Sequence, residues 1–241
     1  MYGSEHMFVY GELTSGGVVG TVRGHPDPPG PPALGVLAER ARPTSTSRTR
    51  VLVVHDPLAP CLPDGGLRRG SVVRCSGEGS LSLALALIGR ISGTGSWCGL
   101  VGVGDVGALA MVGYGVDLDR LAVIHAPPVP WTQVVGMLLD GMDVVVANSS
   151  GRPRPAAARQ LVARARHRHA VLVVVGTSPA WPAPADVHLR VTDGRWQGLG
   201  RGFGSLQARR VSVVVQGHGS GARPVERELW LPDAAGRVAP A

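Results

Sequence analysis

The sequence predicts an α/β protein: a mostly parallel sheet flanked by helices, with antiparallel strands at its C-terminal end. Three observations lead there. From residue 51 onward, short Val-rich runs alternate with amphipathic or apolar stretches, the rhythm of strands joined through covering helices. After residue 185 the helical stretches stop, and further strand-like runs are joined by the hairpin-like segment 217–221. The length of 241 residues suits one core, since a single core commonly serves about 100–250 residues. With only two Phe, three Tyr and five Trp, that core is built mainly from Val, Leu and Ala.

Residues 1–32 are Gly-rich and end in His25-Pro26-Asp27-Pro28-Pro29-Gly30-Pro31-Pro32, where proline removes backbone donors and fixes φ. Residues 1–50 are therefore expected to be a flexible arm. It carries one short helix over 33–42, where Leu34, Leu37 and Ala38 share a face. Residues 51–233 form the domain and 234–241 a disordered tail. Strands are expected at 51–54, 71–75, 97–101, 121–124, 144–147, 170–175, 187–192 and 210–215. Helices are expected at 82–91, 106–114, 131–140 and 155–167.

All 24 basic residues are Arg, and with 35 Gly and 20 Pro this is the bias of a high-GC genome. The net charge of +7 is compatible with nucleic acid or an acidic protein partner without selecting either. Cys61, Cys75 and Cys98 fit no zinc spacing and read as buried thiols of a reduced, cytoplasmic protein. No apolar run of about 20 residues is present.

The chemistry-bearing layout is a strand, a Gly-rich turn and a helix, running Ser71-Val72-Val73-Arg74-Cys75-Ser76-Gly77-Glu78-Gly79-Ser80-Leu81-Ser82-Leu83. In a working phosphate loop, backbone amides cradle the phosphates, a lysine reaches them and the next Ser or Thr holds magnesium. Here those two positions are Ser80 and Leu81. The Walker B-like run 143–148 ends in Asn148 where an aspartate should orient the hydrated metal, and an amide offers no compensating charge. Losing one strong electrostatic stabiliser typically costs about 3–4 kcal/mol of transition-state energy, so turnover is not expected. The site is read as degenerate (Gly77, Gly79, Ser80, Leu81, Asn148), with no catalytic residue, metal or cofactor.

Several segments in order resemble the RecA-type recombinases: the lead-in 65–70, the loop and helix from Gly77 to Ile88, the heptad 115–121, and the tail 210–215 followed by Glu228-Leu229-Trp230-Leu231-Pro232. Counting back from Gly115, the position of that family's catalytic glutamate falls near Val103, with Asp105 the nearest acid. Within the RecA-like group the chain is similar to the ImuA family of actinobacterial mutasome accessory proteins. The marks are the lysine-free loop 79–83, Trp196-Gln197-Gly198-Leu199-Gly200, and Arg209-Arg210-Val211 leading into Leu229-Trp230-Leu231-Pro232. That resemblance implies an accessory role in SOS-induced translesion synthesis and DNA damage tolerance. It also implies contacts with a Y-family-like polymerase homologue and an error-prone C-family polymerase, and a cytoplasmic location that becomes nucleoid-associated in the complex. The alternatives are a single-stranded-DNA-binding recombinase relative, a cell-division inhibitor and a residual nucleotide sensor.

Partner contacts are expected from Trp181, set in a Pro-rich loop or else in the core, and from the C-terminal Arg223, Arg227, Leu229 and Trp230. The basic run from Arg152 to His169 contains the nucleic-acid candidates Arg164, Arg166 and Arg168. It also reads as a solvated helix face, because no aromatic residue is interleaved to stack on bases. His167 and His169, two apart, do not share a face for a metal. Ser76, Ser80 and Ser82 have no base beside them in sequence.

Overall fold

The computed structural model describes residues 50–125, 130–148, 153–176, 181–199, 203–217 and 224–241. Strand β1 (Val51–Val53) pairs antiparallel with β2 (Gly66–Arg68) in a small ribbon, across a 3-10 turn at Asp56–Cys61. The main sheet begins with β3 (Val72–Ser76), which leads into helix α1 (Ser80–Gly93) and strand β4 (Cys98–Val101). Helix α2 (Ala108–Gly113), β5 (Leu121–Ile124), α3 (Trp131–Gly141), β6 (Val144–Asn148), α4 (Pro155–Arg168) and β7 (Val171–Gly176) follow. The chain closes with β8 (Val187–Leu199), β9 (Gly204–Gly217), β10 (Val225–Trp230) and β11 (Ala239–Pro240).

The nine strands are ordered β11-β10-β9-β8-β3-β7-β6-β4-β5. The strands from β8 through β3, β7, β6 and β4 to β5 are parallel, and β9, β10 and β11 join antiparallel beyond β8. The α/β class and its C-terminal antiparallel strands are as the sequence predicts.

The register explains the apolar runs. Val171, Val173 and Val175 point to one face and Leu172 and Val174 to the other, as do Val144 and Val146 against Val145 and Ala147. The first face packs on α1 through Leu83, Leu87 and Ile88; the second is covered by α3 and α4 through Val135, Leu138, Ala158 and Leu161. A central strand buried on both faces has no polar alternation to show, which is why each run is a near-unbroken string of valines.

Two expectations are corrected here. Residues 234–241 are not a loose tail: Asp233 organises a turn by accepting from the backbone N–H groups of Ala235 and Arg237, and β11 then pairs with β10. Strands β8 and β9 are also far longer than the predicted 187–192 and 210–215. The arm of residues 1–50 and its helix fall outside the described residues, apart from Arg50.

Candidate functional site

The site sits at the carboxyl end of β3, beside the point where the chain leaves for β4 three strands away across β7 and β6. Open α/β sheets bind ligands at such switch points. Only Gly77, Glu78 and Gly79 separate β3 from α1, whereas a phosphate loop needs four residues between its two glycines to wrap a phosphate. The turn closes through Ser80 N–H donating to the Gly77 carbonyl at 3.2 Å, and Leu83 N–H donating to the Gly79 carbonyl at 3.0 Å is the first bond of α1. Both glycines lie in the left-handed region, at φ 88° and 90°.

What fills the space around the turn is protein. A Cβ on Gly77 would stand 2.0 Å from the Val191 carbonyl oxygen, so the turn is pressed against β8. A Cβ on Gly79 would stand 2.4 Å from a terminal nitrogen of Arg209, which reaches in from β9. Arg209 is 6% exposed; one terminal nitrogen donates to the Glu78 carbonyl at 3.3 Å, and the guanidinium lies 5.7 Å from the Trp196 ring centroid. Its Nε has no partner among the described residues. A buried cation thus stands at the N-terminal end of α1, where the helix dipole is itself positive. Loop length and Arg209 were both missed in the sequence. The one-residue gap between Gly77 and Gly79 was countable there, but the approach of Arg209 depends on the β9 register.

Ser80 is buried and Leu81, the second residue of α1, packs against the core, so the two positions that replace the lysine and the magnesium ligand serve packing. Asn148 ends β6 in register with Val175. Val103 is buried just past β4, and Asp105 is exposed, 3.8 Å from His125 Nδ1. These positions lie at the carboxyl ends of β3, β4 and β6, as the phosphate-loop reading requires, but among the described residues no group of three metal-ligating side chains converges.

The partner candidates separate. Trp181 is 5% exposed within the α3/α4 core, so it is a core residue; the prolines that flank it suggested a loop, and the apolar face it fills was invisible in sequence. Leu229 is also core, at 2% exposure opposite Val211 on β9. Arg227 is exposed and Trp230 partly so, while Arg223 lies outside the described residues. The nucleic-acid candidates all carry ion pairs. Arg164 grips both carboxylate oxygens of Asp140, Arg168 Nε donates to the same group at 3.0 Å, and Arg166 lies 3.6 Å from Asp186. The bond from Arg164, with the desolvation of the site opposing it, holds the Asp140 carboxyl below its usual range.

The most exposed apolar side chains of the C-terminal half lie elsewhere. Beyond Ser76, β8 runs on past the end of β3, and with β9 it forms an arm carrying Trp196, Leu199, Phe203 and Leu206, exposed by 43%, 62%, 77% and 52%. Sequence reading singled out Trp196 and Leu199 only as marks of a resemblance, since two glycines and alternating polar residues disguise the strands.

Among solved structures, the chain is similar to a KaiC-like protein, PH0186, of the hyperthermophilic archaeon Pyrococcus horikoshii OT3. The TM-score is 0.56 at 11% identity, over 80% of this chain and all of that one. The fold is RecA-like on that evidence. In sequence, the chain is 38% identical over 123 residues to the uncharacterized protein Rv3395c of Mycobacterium tuberculosis (strain ATCC 25618 / H37Rv). The match spans 51% of this chain and about half, 52%, of that relative. The family model described as the MT3502 N-terminal domain matches residues 60–183, from the 3-10 turn through the phosphate-loop position and β6 to the end of the α4–β7 unit, and the chain belongs to that family.

Proposed function

We propose that this chain is a non-catalytic, RecA-like adaptor of the ImuA-prime type, working in a DNA damage tolerance complex through contacts with a Y-family-like polymerase homologue and an error-prone C-family polymerase. The observation that carries the first half of this reading is the closed turn at Gly77–Gly79. Phosphoryl transfer is almost wholly a matter of cradling phosphates and placing charge around them. A three-residue turn has the Val191 carbonyl against one glycine and Arg209 against the other, and the Ser80 N–H that follows it is bonded to the Gly77 carbonyl. Asn148 and Leu81 then stand where a metal would need oxygen ligands and charge.

The partner half rests on the resemblance to the ImuA family, and the arm of β8 and β9 supplies the surface. Exposed Trp and Phe flanked by arginine are the composition of an interface centre. Leu199 and Phe203 are more than half exposed, so changing them to Asp removes apolar contact area without opening the core. Co-purification with the polymerase homologue is expected to fall at least tenfold in the Leu199→Asp, Phe203→Asp double variant. Undiminished capture by that folded variant would remove the arm from the interface. The ion pairs of Arg164, Arg166 and Arg168 give the α4 nucleic-acid reading no support.

A further inference from the structure

The two margins of the main sheet are built differently. At one margin β11 is two residues long and includes Pro240, which has no N–H to offer a further strand, so that edge is blunted. At the other margin β5 pairs with β4 alone, and among the described residues no strand lies against its outer edge. Gly102 N–H donates to the Ile124 carbonyl at 2.8 Å, so Ile124 and, by alternation, Ala122 turn their backbone groups to β4. Leu121 and Val123 therefore turn theirs outward. Neither charge nor proline interrupts Leu121–Ile124, and all four residues are half-buried. Helix α2 packs beside the turn Leu118–Arg120 that leads into β5, and it leaves Leu109 86% and Val112 52% exposed. The ends of β5 carry opposite charges. Arg120 precedes the strand, its guanidinium 5.2 Å from the Trp97 ring centroid, with no carboxylate in ion-pair reach among the described residues. His125 follows the strand, 3.1 Å from the Gly104 carbonyl and 3.8 Å from the exposed Asp105.

We propose that the outer edge of β5 is a self-association surface, on which a second copy of this chain adds its own β5 antiparallel across a two-fold axis. The choice of occupant rests on charge complementarity. Antiparallel strands pair residues whose backbone groups face one another, so Leu121 of each copy stands opposite Val123 of the other, with Ala122 at the axis. The same rotation brings the start of each strand to the end of the other. Arg120 of each copy then comes to the end where the other carries Asp105, so one interface holds two such contacts. Four residues a side make a small contact, so the pair is expected to dissociate in the range of about 10–100 μM rather than to be obligate. The surface lies at the opposite margin of the sheet from the β8–β9 arm, and the proposal is independent of the adaptor reading.

The test is sedimentation velocity of the full chain from about 1 to about 200 μM, a span that brackets the expected dissociation constant. A monomer–dimer equilibrium is expected in the wild type. Arg120→Asp and Asp105→Arg each set like charges together at both contacts, and each is expected to weaken the dimer about tenfold. The double variant Arg120→Asp, Asp105→Arg restores the attraction in reverse and is expected to bring the dissociation constant back to within about threefold of the wild type. Thermal melting checks the fold of each variant. Asp105 is exposed, so Asp105→Arg keeps the test open should Arg120→Asp melt early. A full chain that stays monomeric to the highest concentration overturns the proposal, whatever then covers the β5 edge. A dimer indifferent to both single reversals, or single losses that the double variant fails to recover, overturns it too.

Discussion

At the scale of single residues, Gly77 is the tightest of the described glycines with positive φ. Its positive φ disfavours any Cβ, and the atom that Cβ would meet is a backbone carbonyl that cannot swing aside. Gly77→Ala is therefore expected to destabilise the fold by about 2–4 kcal/mol, read from the urea midpoint. An unchanged midpoint would mean the turn is looser than drawn. Asp143 offers a second residue-level test. It accepts from Arg69 at 2.6 Å and from Trp97 N–H at 3.1 Å, with its side chain 6% exposed. Replacing it with Ala breaks this largely buried ion pair and removes the acceptor of the Trp97 N–H, and is expected to cost about 3–5 kcal/mol. Asp143 was read in sequence only as the first residue of a Walker B-like run, because its partner Arg69, just ahead of β3, is remote in sequence.

The thiols give the protein a pH signature. Burial pushes Cys61 up to about 11, against a smaller opposing pull from Arg227, and Cys75 up to about 12, from an ordinary 9.0. Burial raises Cys98 as well, with the Asp143 charge adding to it. In the unfolded chain these thiols ionise near pH 9, while in the fold they stay neutral. Their contribution is thus complete below pH 9 and is lost as pH rises through about 11 for Cys61 and about 12 for Cys75. Urea midpoints should be level from pH 7 to 8.5 and then fall; a midpoint rising above pH 9 would contradict the burial.

At the scale of elements, the parallel strands and α1, α3 and α4 were legible because their burial leaves a plain signature: unbroken valine runs and apolar residues at helical spacing. The long β8 and β9 arm was not legible. Its distal residues pair mainly with each other, so no core face imposes a pattern on Asp193 to Leu199 or on Gly204 to Gln207. The candidate contact at Leu229 failed for the converse reason, since an apolar residue near a strand end looks exposed until a neighbouring strand covers it, and Trp181 took the core place that the sequence also allowed. Two substitutions should separate these roles by thermal melting. Leu229→Ala, in the core opposite Val211, is expected to cost about 2–5 kcal/mol, and Phe203→Asp, 77% exposed, less than about 0.5 kcal/mol. Removing everything from Gly221 onward would be a poor probe of partner contacts, since it deletes β10 and the fully buried Leu231 along with any surface.

At the scale of the whole molecule, a RecA-like sheet retains its switch point while the turn that would hold phosphates is shortened and backed by Arg209. The missing lysine was visible in the sequence at once, and the closure of the loop needed the structure. The role proposed for the chain is that of an adaptor whose surfaces act without a nucleotide switch. The most direct measurement is quantitative capture of the Y-family-like polymerase homologue by the purified full chain, with and without millimolar Mg-ATP. The adaptor account predicts the same capture in both conditions and no saturable ATP binding at micromolar concentrations. Capture that appears or disappears with Mg-ATP would contradict it and restore the Gly77–Gly79 turn as a working switch.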